Sequence, residues 1–218
     1  MPYVSRYLQW FTHPLVLVVY LAVVAGVFFY VDEPLALYIH HLNLASIYSP
    51  LLWITQLGWT TPYLLLLPLL GLFFRYIKRA KQIELRVWFL WSTLFITSGV
   101  AVVLKNILGR ARPELLFDLN VFGLYGYHRE HLYHSFPSGH TTLVTTMILG
   151  LILLFPKQRW WFFVVGTVVL MTRVLLTQHY LSDVLASICL VMLEYRLFMY
   201  IVARECPLYW VRLGLKDE

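Results

Sequence analysis

The chain has 218 residues, 60% of them hydrophobic and 17% aromatic, while only 13% are charged, about half the roughly 25% of an ordinary soluble domain. That composition, with a mean hydropathy of +0.71, excludes a water-soluble monomer, and no stretch is rich enough in Ser, Glu, Lys and Gly to stay unfolded. The formal net charge of +6 is not gathered into a basic domain with stacking aromatics, so it argues against nucleic acid as a partner and fits loops on the inner face of an anionic bilayer.

A spanning helix needs about 20 largely apolar residues, and Pro14 to Val31 supplies the first such run without a charge. Its length and the weak site at Val23-Val24-Ala25 speak against a cleaved signal peptide. Asp32, Glu33 and Pro34 close it, and Leu35 to Leu57, interrupted by two histidines, an asparagine and Pro50, reads as a short interfacial or re-entrant piece. Gly58 to Phe74 is apolar despite Pro62 and Pro68, which membrane helices tolerate when neighbours satisfy the freed carbonyls, and it is taken as the second span. A basic cluster (Arg75, Lys78, Arg79, Lys81, Arg86) precedes the third, Val87 to Leu104. The fourth runs from about Ser138 to Pro156, the fifth from Trp160 to Leu176, and the sixth from Leu181 to Val202 with Glu194 and Arg196 inside it.

The expected architecture is therefore all-α: one integral membrane domain over residues 1–218, built as a six-transmembrane-helix bundle. Six spans put Arg6, the 75–86 cluster, Lys157, Arg159, Arg204, Arg212 and Lys216 on one side, which the positive-inside rule makes cytoplasmic, with both termini. Lys105, Arg110, Arg112, Arg129 and Arg173 break that rule. Ionisable groups at membrane depth mark a functional site, and these positions converge. Lys105 and Arg173 end outward-running spans, while His140, His179 and Asp183 begin inward-running ones, so all five meet just under the outer surface.

Three cations at one place, Lys105, Arg112 and Arg173, suit a multiply charged anion, and a phosphate is the natural guest. Pro137-Ser138-Gly139-His140 adds a helix start with an N-cap serine, a glycine that permits close backbone approach, and free N–H groups for a phosphate oxygen. His179 and Asp183 stand four apart on one helical face, where the carboxylate can hold one imidazole nitrogen and free the other to attack phosphorus. A covalent phosphohistidine splits one displacement into two. His140 then suits the acid that protonates the departing alkoxide. The cations already meet the phosphate charge, so no metal or other cofactor is required.

The same residues carry a resemblance. Lys105 to Pro113 reads K-x6-R-P, Pro137 to His140 reads P-S-G-H, and Arg173 to Asp183 reads R-x5-H-x3-D. In this order the three motifs resemble those of the type 2 phosphatidic acid phosphatase (PAP2) superfamily, in its small bacterial six-helix branch. Thr172 stands where the third motif usually opens with Ser. The resemblance implies a lipid phosphatase of the bacterial cytoplasmic membrane with its site facing outward. Lys105, Arg112, Arg173, Ser138 and the Gly139 amide would bind phosphate, His179 would be the nucleophile, Asp183 its partner and His140 the acid.

Undecaprenyl diphosphate, phosphatidylglycerol phosphate, phosphatidic acid and lipid A phosphates are all candidate substrates. Transfer of phosphate to a second lipid would use the same residues, and a silent transporter or lipid binder would need none of the three catalytic ones. His128, His131 and His134 recur every three residues and could suggest zinc, but with Glu130 among them and no cysteine nearby they read as a polar rim. Glu194 and Arg196 read as paired with polar groups near the inner boundary. Trp88, Trp91, Trp160, Trp161 and Trp210 read as an interfacial belt.

Overall fold

The computed structural model describes residues 3–44 and 49–213, and all regular structure among them is helical. A short amphipathic α1 (Tyr3–Phe11) leads into α2 (Pro14–Tyr30), with Pro14 at its first turn, where the missing N–H costs nothing. The chain then bends by 57° into α3 (Asp32–Leu42). After the undescribed residues 45–48 come α4 (Ser49–Gln56) and, across a 41° bend, α5 (Thr60–Tyr76). Among its described residues, the interval 35–57, expected as a single short piece, thus holds α4 and most of α3, each joined to a longer apolar neighbour.

The longest helix, α6 (Lys81–Leu108), has 28 residues, about 42 Å at 1.5 Å per residue, so it outreaches the expected span at both ends. It takes in part of the basic cluster, because Glu84, 3% exposed, is held there by Lys81 at 3.2 Å and Arg75 at 3.8 Å. A short α7 (Pro113–Leu119) precedes α8 (Gly139–Leu154), α9 (Arg159–Leu175), α10 (Leu181–Glu205) and a terminal α11 (Pro207–Arg212). Helices α6 and α10 are each long and apolar enough to cross a membrane alone, and the two bent pairs qualify when taken together.

Helix α8 is the hub, packed against α6, α9 and α10, while α5 lies along α6, α2 along α10 and α4 along α9. The main core joins Phe89 and Leu94 of α6, Leu143 and Leu153 of α8, and Tyr195 and Met199 of α10, closed below by Leu8 and Leu213. Opposite faces carry large apolar side chains outward, such as Leu65, Leu66 and Leu69 on α5, Val102 and Val103 on α6, and Phe163, Val164 and Val168 on α9. A chain with a filled core and apolar helix flanks is arranged for a hydrocarbon surround.

The polar partners expected for Glu194 and Arg196 near the inner boundary are not found among the described residues. Arg196 is exposed, and both Glu194 carboxylate oxygens are buried without a hydrogen-bond partner among the described residues. Two residues of helix turn by about 200°, so the buried carboxylate and the exposed guanidinium point to opposite sides of α10.

Candidate active site

The last turn of α6 delivers Lys105. Gly109 ends the helix in the left-handed region at φ 52°, and a Cβ there would stand 1.8 Å from the Gly126 carbonyl oxygen. Only glycine lets the 109–138 segment fold back across the end of the bundle. Backbone bonds fix that fold: Ala111 N donates to Gly123 O at 3.0 Å, Arg112 N to Leu132 O at 2.8 Å, His128 N to Asn106 O at 3.1 Å and Ser135 N to Arg110 O at 3.0 Å. Arg112, 8% exposed, is thereby held at the start of α7. Its guanidinium donates to the carbonyls of His131 at 3.1 Å, His134 at 3.3 Å and Gln178 at 3.5 Å.

Ser138 is fully buried and caps α8, its hydroxyl accepting from Thr141 N at 3.3 Å while its own N–H donates to Ser187 Oγ at 2.9 Å. Next to it, a Cβ on Gly139 would lie 3.7 Å from Lys105 Nζ, so the lysine reaches the helix start, where free N–H groups point outward. His140 follows, its ring against Gly58. Arg173, near the end of α9 and 5% exposed, donates to Thr55 Oγ1 of α4 at 2.7 Å. Lys105, Arg112 and Arg173 lie within electrostatic reach of one another and of His140.

His179 corrects the sequence reading. It is not on the face of a helix with Asp183 but in the turn before α10, where Thr177 takes φ 50° and Tyr180 is the extended N-cap. The turn nonetheless leaves His179 Nδ1 3.7 Å from Asp183 Oδ2, an ion-pair distance rather than a hydrogen bond. Burial is the largest influence on the imidazole. Reinforced by Arg112 and Arg173 and opposed by Asp183, it pushes the His179 pKa down to about 3. The ring is therefore neutral at physiological pH, with Nε2 turned away from the carboxylate. A neutral buried imidazole beside Arg112 and Arg173, with a carboxylate on its far nitrogen, can attack an electrophilic centre that the cations hold.

Asp183 is secured by groups that sequence reasoning missed. Its Oδ1 accepts from Arg110 Nη1 at 2.6 Å, and its Oδ2 from Ser135 Oγ at 2.5 Å and Tyr180 N at 3.1 Å. Arg110 also donates to Asp32 Oδ2 at 2.6 Å. The only sequence signals were Arg110 on the wrong side of the membrane and Asp32 at the end of the first span, and their pairing crosses 78 residues. Thr55 gave no signal at all.

His128, His131 and His134 lie on one folded rim. His128 stacks on Tyr133 at 4.2 Å, and the His134 ring Nε2 sits 3.0 Å from the His128 carbonyl. The described residues contain no group of three or more His, Cys, Asp or Glu placed to hold a metal. His131 is exposed, and the nearby Arg112 cation, more than its modest burial, lowers its pKa.

A family model described as the PAP2 superfamily matches residues 86–205, which contain all three motifs. Among curated proteins, the chain is 36% identical over 100 residues to a lipid A 1-phosphatase of Rhizobium etli, covering 46% of this chain and 43% of that protein. It is 38% identical over 114 residues to a lipid A 1-phosphatase of Rhizobium johnstonii, covering 50% and 47%. Each match thus spans less than half of the relative. No solved structure matches the chain.

Proposed function

The chain belongs to the PAP2 superfamily, and from that premise we propose that it is a bacterial membrane lipid phosphatase acting through a phosphohistidine. One observation carries the reading: a buried, neutral His179 backed by Asp183 lies beside Arg112 and Arg173, with Lys105 in reach of both arginines and of Asp183. The cations and the Gly139 amide would hold the phosphate oxygens, with Ser138 shaping that helix start. The Nε2 lone pair of His179 forms the N–P bond as the P–O bond to the lipid breaks, and the leaving oxygen takes a proton from His140. Water, activated by the now basic His140, then breaks the N–P bond and releases inorganic phosphate. The cations balance the equatorial oxygens throughout, so turnover needs no metal.

An apolar cavity of about 240 Å³, lined by Leu57, Val144, Ile148, Trp161, Val165 and Val169, favours a lipid substrate. It starts one helical turn below His140 and Arg173, where an acyl chain attached to the phosphate would run. Because the two rhizobial relatives are named lipid A 1-phosphatases, lipid A is the first substrate we would test. The same reading has six spans in a single domain, both termini cytoplasmic, and the site facing outward across the inner membrane.

The test is inorganic phosphate release by the detergent-solubilised protein from lipid A, undecaprenyl diphosphate, phosphatidylglycerol phosphate and phosphatidic acid, with and without EDTA. Release from lipid A above the others, unchanged by EDTA, is expected. Preference for another lipid reassigns the substrate. Release from none of them, or activity that EDTA abolishes and added metal restores, overturns the reading.

A further inference from the structure

Arg110 is 3% exposed and Asp32 and Asp183 are 1% and 0% exposed. The guanidinium bridges the two carboxylates at 2.6 Å on each side, with Phe28 at 4.6 Å and Tyr180 at 4.8 Å over its faces. Asp32 also accepts from Ser182 N at 2.9 Å and from the Ser182 hydroxyl, joining residues 150 apart in the chain. Arg110 with Asp183 alone would be a neutral pair. The third group gives the buried cluster one net negative charge, which is costly to desolvate. Both carboxylate oxygens are in use, Oδ1 accepting from Ser182 N and Oδ2 from Arg110 and the Ser182 hydroxyl, so an amide at position 32 would lose one acceptor as well as the charge.

We propose that Asp32 is a positioning residue for the reaction: through Arg110 it anchors Asp183 and keeps one net negative charge behind His179. The proposal rests on the phosphohistidine reading. As Nε2 forms its bond to phosphorus and the P–O bond to the leaving group breaks, the ring keeps its proton on Nδ1 and becomes cationic. The groups facing it are Asp183, Arg112 and Arg173, with Lys105, Arg110 and Ser135 set against Asp183. With only a neutral Arg110–Asp183 pair behind it, the new cation would stand among the phosphate-binding cations without a counter-charge. Asp32 supplies one from the α2–α3 elbow, a segment outside all three motifs. The Arg110 and Ser135 bonds to Asp183 meanwhile hold its carboxylate as the anion, so the proton stays on the ring.

The test uses the full-length protein and two probes: inorganic phosphate, which only binds, and vanadate, whose five-coordinate adduct mimics phosphorus under attack by the ring. Asp32→Asn keeps the outline of the side chain but removes the charge and turns one accepting oxygen into a donor. It should reduce kcat about tenfold or more without raising KM, because the phosphate-binding cations are untouched. It should also weaken vanadate relative to phosphate about tenfold, a ratio in which any general gain in anion affinity cancels. Ser182→Ala removes the hydroxyl bond to Asp32 but keeps the net charge of minus one and both Arg110 ion pairs, so it should keep the wild-type ratio. If Asp32→Asn does not fold, Ser182→Ala must still show that ratio. An unchanged ratio and kcat in Asp32→Asn, or a ratio in Ser182→Ala tenfold worse than wild type, overturns the proposal. A wild-type protein that binds neither probe overturns the underlying phosphatase reading instead.

Discussion

Replacing Gly58 by alanine should separate proton donation from attack on phosphorus. Gly58 precedes α5, and a Cβ on it would sit 2.7 Å from His140 Cδ2 and 3.2 Å from both Cβ and Cγ, short of the 3.4 Å at which ordinary contact begins. The ring must therefore retreat by about 0.7 Å, and rotation alone does not suffice, because His140 Cβ is crowded too and does not move with the side-chain torsions. The Thr60 hydroxyl, which donates to Gly139 O at 3.3 Å, ties the start of α5 to the same turn and resists a compensating shift. A general acid contributes roughly 10²–10⁴-fold, and misplacement by about 1 Å can cost about 10²-fold. On a lipid phosphate, whose alkoxide leaves poorly, Gly58→Ala should lose about 10- to 100-fold in kcat. On an activated aryl phosphate, which leaves without protonation, it should lose less than about threefold. Phosphate release measured on both substrates, with thermal stability as a control for folding, decides it. Equal losses on the two substrates, or none, would refute the placement of His140 as the acid.

Three further outcomes are expected. His179→Ala should abolish acid-labile phosphoenzyme and activity on both substrates, and His140→Ala should recover in part on the aryl phosphate. Asp183→Asn should fall between them and also lower thermal stability, since it takes one carboxylate from buried Arg110, a loss of about 3–5 kcal/mol where a buried pair is broken. The His179 pKa, lowered from 6.5 to about 3, means that between those values the unfolded chain binds a proton the folded one excludes. Its contribution to stability is thus full above pH 6.5 and lost as pH falls toward 3, at up to about 1.4 kcal/mol per unit. Unfolding of the solubilised protein followed from pH 7 to 4.5 should show a steeper decline in the wild type than in His179→Gln, and parallel slopes would contradict it. Alkaline phosphatase fused near Asn120 should be active and fused near Lys81 inactive, and the reverse pattern would invert the topology.

Local chemistry carried most of what the sequence disclosed. Pro137 to His140 announced a helix start because a serine before glycine and histidine can cap only one way, and Ser138 does cap α8. The run from Val87 to Leu104 announced a helix because nothing in it opposes one. Its true ends lay beyond the apolar stretch, since Glu84 is neutralised by Lys81 and Arg75 and the helix closes only at Gly109. His179 and Asp183 were matched by helical spacing and do meet, though through a turn that Thr177 makes at positive φ. The spacing was informative for a reason other than the one it suggested.

Tertiary pairing was out of reach for a different reason. Asp32 reads as an acidic residue closing a span and Arg110 as a stray cation, and each is energetically unreasonable alone at that depth. Neither residue names its partner, because the contact depends on how the α2–α3 elbow meets the end of α6, and no periodicity encodes that meeting. What the sequence did carry was the anomaly itself. A cation on the side that the charge rule forbids demands compensation, and an acid at the mouth of a loop without Lys or Arg has charge to offer. In a membrane protein, where an unpaired ion is so costly, unexplained charges of opposite sign assigned to the same face are candidates to be each other's explanation. Arg110 and Asp32 meet that description, and Thr55, uncharged and on a helix the charge pattern never touched, shows where such reasoning stops.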